Sequence, residues 1–229
     1  MPHRVSLNGG GTIPWSLGID LSHKFGAGHS TLCAALVDSD GALVRAWTIQ
    51  QRRDETVGMV ALRKILGAVA DFMADASDSR ELLILRDGRL FENENARLYC
   101  EALGLNVSLI ECRKRGNPQL YDVEDGNPVL PESPVWAMVP GAPTGFLVTN
   151  PQRRRRTLDM VLKVSWRSSW NGIGLDSDEI ARILVALTFS PGLGLHRRTL
   201  PAPLYWADGI AGASDDDLRF RGQRVSRLN

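Results

Sequence analysis

Trp15-Ser-Leu-Gly-Ile-Asp-Leu-Ser-His23 is a mostly apolar run that carries one acid, Asp20, between Ile19 and Leu21. It reads as a strand, and a carboxylate buried in a strand without a partner costs several kcal/mol. A divalent cation offsets that cost where other acids converge on the same point. Two further acids have similar settings. Asp87 closes Glu81-Leu-Leu-Ile-Leu-Arg-Asp87 ahead of Gly88, and Asp208 lies in Leu204-Tyr-Trp-Ala-Asp-Gly-Ile-Ala211. Each also has a plainer reading: Asp20 as a strand-end turn residue, Asp87 as a turn with Gly88, Asp208 as a helix N-cap.

Outward from Asp20 the chain reads as an antiparallel meander. Thr31 to Val37 and Ala42 to Ile49 are strand-like, and Asp38-Ser-Asp-Gly41 between them is an Asp-Gly hairpin signal. Val57, Val60, Leu62, Ile65, Leu66, Val69, Phe72 and Met73 then recur at helical period, predicting a helix over 56–76. Glu81 to Asp87 is a short, almost wholly apolar strand of the kind covered on both faces. A helix over 92–103, capped by Gly104, leads to a strand from Asn106 to Cys112. The order β-β-β-α-β-α-β predicts an α/β fold with a mixed sheet, a three-strand antiparallel meander followed by parallel strands, with helices on both faces. Right-handed crossovers set the first strand beside the fourth, so Asp20 and Asp87 fall on neighbouring strands where the sheet changes direction, the usual place for a ligand site.

The remainder is less regular. Residues 113–157 are rich in proline, with short strands expected near Val135–Val139 and Gly145–Thr149, and Leu158 to Ser165 alternates as a half-buried strand does. Asp176-Ser-Asp-Glu179 starts a helix that stops by Pro191-Gly192, and a last helical piece is expected to begin near Ala207–Asp208. This predicts a leading segment over 1–14, one domain over 15–215 and a basic tail over 216–229.

Bulk composition sets limits. The 229 residues are 43% hydrophobic and 23% charged, ordinary for a globular protein, and the formal net charge of +1 gives no overall basic field. Nucleic-acid binding would therefore rest on local patches. Cys33, Cys100 and Cys112 are not at metal-ligand spacing and read as buried thiols. The histidines His3, His23 and His29 lack metal spacing too. No apolar run is long enough to span a bilayer and the N-terminus lacks the apolar core of a signal peptide, so the expectation is a cytoplasmic protein without a membrane partner.

Converging carboxylates without His or Cys suit Mg²⁺ or Mn²⁺ and two-metal phosphodiester hydrolysis. Four stretches occur in order: Gly10 to Asp20, Leu85-Arg-Asp-Gly88, Cys112-Arg-Lys-Arg-Gly-Asn-Pro-Gln-Leu-Tyr121, and Leu200-Pro-Ala-Pro-Leu-Tyr-Trp-Ala-Asp-Gly-Ile-Ala211. In that order and spacing the chain resembles the PIWI domain of prokaryotic Argonaute proteins, from about residue 8 to residue 213. The resemblance implies an RNase H-like fold that cleaves a target strand paired to a guide, DNA or RNA, with an Asp-Glu-Asp-Asp tetrad and two Mg²⁺ or Mn²⁺ ions. It implies Asp20, Asp87 and Asp208 as metal ligands. Its Glu comes from a loop between the first two aspartates, where Glu55 is the choice and Asp54 its neighbour; both also suit a helix first turn.

Basic clusters fit a nucleic-acid groove: Arg52 and Arg53, Lys114 and Arg115, the run Arg153, Arg154, Arg155, Arg156, and Arg197 with Arg198. Arginine at such places positions backbone phosphate without reading sequence, although a run of four is as often a solvated face. The domain that grips the guide's 5′ phosphate in the family has no counterpart here, so a separate chain supplying it is an expected partner. Three functions follow as expectations: an active guided endonuclease, a guide and target binding module that does not cut, and an unguided RNase H-like nuclease.

Overall fold

The computed structural model describes residues 15–23, 28–52, 57–76, 80–90, 94–151, 160–166, 176–190, 199–213 and 225–228. Its centre is a nine-stranded sheet. In chain order the strands are β1 (Trp15–His23), β2 (His29–Asp38), β3 (Leu43–Arg52), β4 (Glu81–Asp87), β5 (Asn106–Arg113), the two-stranded ribbon β6 (Asp122–Glu124) and β7 (Asn127–Val129), then β8 (Val135–Met138), β9 (Thr144–Val148), β10 (Leu162–Trp166) and β11 (Val225–Leu228). The main sheet runs β11-β3-β2-β1-β4-β5-β10-β9-β8. β1 and β2 pair antiparallel, β2 and β3 likewise, and β4 lies parallel to both β1 and β5. The meander and the β1–β4 neighbour relation are those expected from the sequence.

Strand parity decides what each face buries. Leu17, Ile19, Leu82, Ile84, Val107 and Leu109 face α1 (Met59–Ala76) and α2 (Ala96–Leu103) in one core. Leu83, Leu85, Ile110 and Cys112 point the other way, into a core shared with α3 (Ser177–Thr188) and α4 (Ala202–Ala211). Helices thus cover both faces. The three cysteines are buried thiols. Among the described residues no helix is long and apolar enough to cross a membrane.

Local signals explain the joints. Asp38 Oδ1 accepts from the backbone N–H groups of Asp40 and Ala42, at 3.0 and 2.9 Å, and Gly41 adopts φ +73°, which closes the β2–β3 turn. Asn95 caps α2 through Leu98 N, Gly104 ends it in the left-handed region, and Asp176 with Glu179 forms a capping box on α3.

Several boundaries differ from the sequence reading. α4 starts at Ala202, about five residues before the expected point, because Pro201 sits at its N-cap and Pro203 in its first turn, where proline loses no helical hydrogen bond. Asp208 is therefore inside the helix and is not its N-cap. α2 starts at Ala96 rather than near 92, and β10 at Leu162 rather than 158. Within the proline-rich segment, Asp125-Gly126 turns the β6–β7 ribbon, the same dipeptide signal that marks β2–β3. The basic tail supplies β11, which pairs parallel to β3 from Val225↔Ala46 to Leu228↔Ile49 and covers that sheet edge.

Candidate metal centre

β1 and β4 run parallel with Ile19 opposite Arg86, so Asp20 and Asp87 stand next in register on adjacent strands. Both project to the face covered by α4. That helix lies hard against β1 at Gly18, where an added Cβ would come within 2.0 Å of the Pro203 carbonyl oxygen. From Pro203 to Asp208 the helix rises about 7.5 Å, and from Gly18 to Asp20 the strand advances about 6.6 Å. The close contact at Gly18 thus sets Asp208 over Asp20. Carboxylate oxygens of Asp20, Asp87 and Asp208 all lie within 4.8 Å of one another.

Asp20 and Asp87 are buried and Asp208 is half exposed, so the cluster opens to solvent on the helix side. Burial raises the Asp20 carboxyl from 3.8 to about 7; the charge on Asp87 and a hydrogen bond to its side chain add to this, while Lys114 opposes it. The Lys114 ammonium bridges the remaining two acids, 2.5 Å from Asp87 Oδ2 and 2.5 Å from Asp208 Oδ1. Burial acts to lower the Lys114 pKa, but Asp87, Asp208 and Asp20 outweigh it and the group is raised. The ammonium thus supplies positive charge between these two acids. All-oxygen donors in this convergence, with a cation seated between two of them, fit Mg²⁺ or Mn²⁺.

Behind the acids is a support that the sequence reading missed. Arg86, of opposite parity to Asp87, is buried at 3% exposure and pairs through Nε with Glu94 Oε1 at 3.0 Å. Its Nη1 donates to the Asp87 carbonyl oxygen. Gly88 N donates to the Cys112 carbonyl at 2.8 Å and Leu90 N to Glu111 Oε2 at 2.8 Å. Three hydrogen bonds therefore fix the backbone just after Asp87. A charged residue within the apolar strand Leu82 to Asp87, with Glu94 eight positions later, was the available signal.

Of the other sequence-chosen residues, Arg52 is exposed at the end of β3, on the sheet end that carries Asp20 and Asp87, and Arg115 is exposed beside Lys114. Glu55 and Arg53, Arg153 to Arg156, Arg197 and Arg198 lie outside the described residues.

No family model matches the chain and no curated protein does. Solved structures do. Clostridium butyricum Argonaute, bound to a guide DNA and a 19-mer target DNA, superposes with a TM-score of 0.72 at 17% identity, over 88% of this chain and 27% of that one. The fold is that of an Argonaute PIWI domain. The PIWI-fold match extends to Marinitoga piezophila Argonaute in complex with a 5′ OH guide RNA and target DNA, with a TM-score of 0.60 and 21% identity over 87% of this chain and 30% of that chain. It extends also to the C-terminal lobe of a budding yeast Argonaute, with a TM-score of 0.70 and 13% identity over 93% and 50%. The chain thus spans about a third or less of the length of the two prokaryotic Argonautes.

Proposed function

We propose that this chain is the endonuclease domain of a nucleic-acid-guided system and hydrolyses a phosphodiester of the target strand by a two-metal-ion mechanism. The observation that carries this reading is the meeting of Asp20, Asp87 and Asp208, from β1, β4 and α4, within 4.8 Å. Asp20, Asp87 and Asp208 would hold two Mg²⁺ or Mn²⁺ ions, which would activate water for attack and offset charge at the leaving oxygen. Asp20 and Asp87 are held by the sheet as fixed ligands, and Asp208 offers its exposed carboxylate from the solvent side. Glu55 is the proposed fourth acid. It falls between Arg52 at the end of β3 and Val57, and β3 ends on the same side of the sheet as Asp20.

Arg52, Arg53, Lys114, Arg115, Arg153 to Arg156, Arg197 and Arg198 are proposed to hold phosphates of guide and target. The Argonautes of like fold bind guide DNA with target DNA, or guide RNA with target DNA, which supports a guide and target here. A separate chain that supplies the guide 5′-phosphate site is part of the same proposal. A cytoplasmic location goes with this reading.

The test is cleavage of a labelled target by guide-loaded protein with Mn²⁺, together with any partner that co-purifies. Wild type should cut and Asp87→Ala should fall to background. Equal cleavage by both proteins would refute the assignment. Tight duplex binding that weakens steeply with salt, without cutting at any metal concentration, would favour a binding module instead.

A further inference from the structure

Lys114 sits one residue past the end of β5, and the carbonyl just before it is held in place. Asn117 Nδ2 donates to the Arg113 carbonyl and to the Val161 carbonyl, each at 2.7 Å. With the backbone fixed, the four-carbon stem can still carry the ammonium several ångströms. The two oxygens it contacts, Asp87 Oδ2 and Asp208 Oδ1, belong to acids that would bind a divalent ion. Asp208 is 49% exposed, which leaves the ammonium a way out toward solvent. Lysine is a compact and strongly hydrated charge that exchanges partners readily, unlike the flat fork of arginine.

We propose that Lys114 is the resident cation of this centre before divalent ions load, and that ion binding displaces it from Asp87 and Asp208. This rests on the metal-centre reading above. Without a cation, three carboxylates within 4.8 Å repel one another, so Lys114 keeps the strand and helix halves of the centre together. For the same reason it competes with the ion for the same oxygens and lowers the apparent metal affinity.

The experiment is Mn²⁺ binding, followed by calorimetry and by electron paramagnetic resonance, in wild type and Lys114→Met. Lys114→Gln serves as a second variant that retains polarity without charge. Both variants should bind Mn²⁺ at least about fivefold more tightly than wild type, since a positive charge has left the site. They should also melt lower than wild type in chelator and level with it at saturating Mn²⁺. A variant that folds only when Mn²⁺ is present supports the same conclusion. Unchanged or weaker Mn²⁺ binding in both variants, with wild type binding normally, would overturn the displacement of Lys114 and leave the metal centre standing. No Mn²⁺ binding by wild type would overturn the centre itself.

Discussion

At Asp20, burial and the charge of Asp87 act in the same direction, and Lys114 opposes them. Its carboxyl is raised to about 7 in the fold, against 3.8 as a free side chain. A raised acid binds more protons folded than unfolded, so its contribution favours the fold at low pH and is lost as pH rises from near 4 through about 7. At about 1.4 kcal/mol per tenfold change in proton affinity, the loss is on the order of 4 kcal/mol. Through this carboxyl, metal-free protein should therefore melt lower at pH 8 than at pH 5. Asp20→Asn should remove that slope and raise the metal-free melting temperature at pH 8, while abolishing the stabilisation by Mn²⁺. Melting curves at the two pH values, with chelator and with Mn²⁺, check it; a slope unchanged in Asp20→Asn would contradict the account. Asp20 was legible from sequence because an acid flanked by Ile19 and Leu21 in an apolar strand must be buried, and a buried carboxylate needs a cation. The Arg86–Glu94 pair was not read: a charge inside an apolar strand was a signal, but which acid matches it is set by the fold.

Among the elements, the site depends on how α4 meets β1. Gly18 has no side chain and Pro203 lies directly on it, with the Asp38–Gly41 turn tied to the same helix through Trp206 Nε1 and the Gly41 carbonyl at 3.3 Å. A methyl at position 18 would press on backbone rather than on a flexible side-chain end, so the helix must shift. Gly18→Ala should cost roughly 1–3 kcal/mol, as overpacking of a tight core does, and should weaken Mn²⁺ binding by moving Asp208. Denaturant unfolding and metal titration measure the two effects; Mn²⁺ affinity equal to wild type would mean that this contact does not set Asp208. Strands β1 and β4 were legible end to end because each is an apolar run with sharp ends, Pro14 before β1 and Gly88 after β4. The start of α4 was not, because Pro201 and Pro203 look like breakers until their place in the first turn is known. β11 was hidden for a different reason: four residues at an edge carry too little pattern, and their pairing with β3 is set by the sheet and not by the local sequence.

On the scale of the whole molecule, a sheet with a meander on one flank, parallel strands at its centre and helices on both faces gathers three acids from residues 20, 87 and 208 at one end. That topology could be deduced from element order and crossover handedness, whereas the cation between Asp87 and Asp208 needed coordinates, because no spacing rule brings residue 114 to both. The claim that everything else depends on is that these carboxylates form a divalent-metal centre. A crystal soaked in Mn²⁺ and measured near the manganese absorption edge tests it most directly. The anomalous difference map should peak among the carboxylates of Asp20, Asp87 and Asp208, with Lys114 moved off them. A map without a peak there, from protein whose fold is intact, would contradict the account.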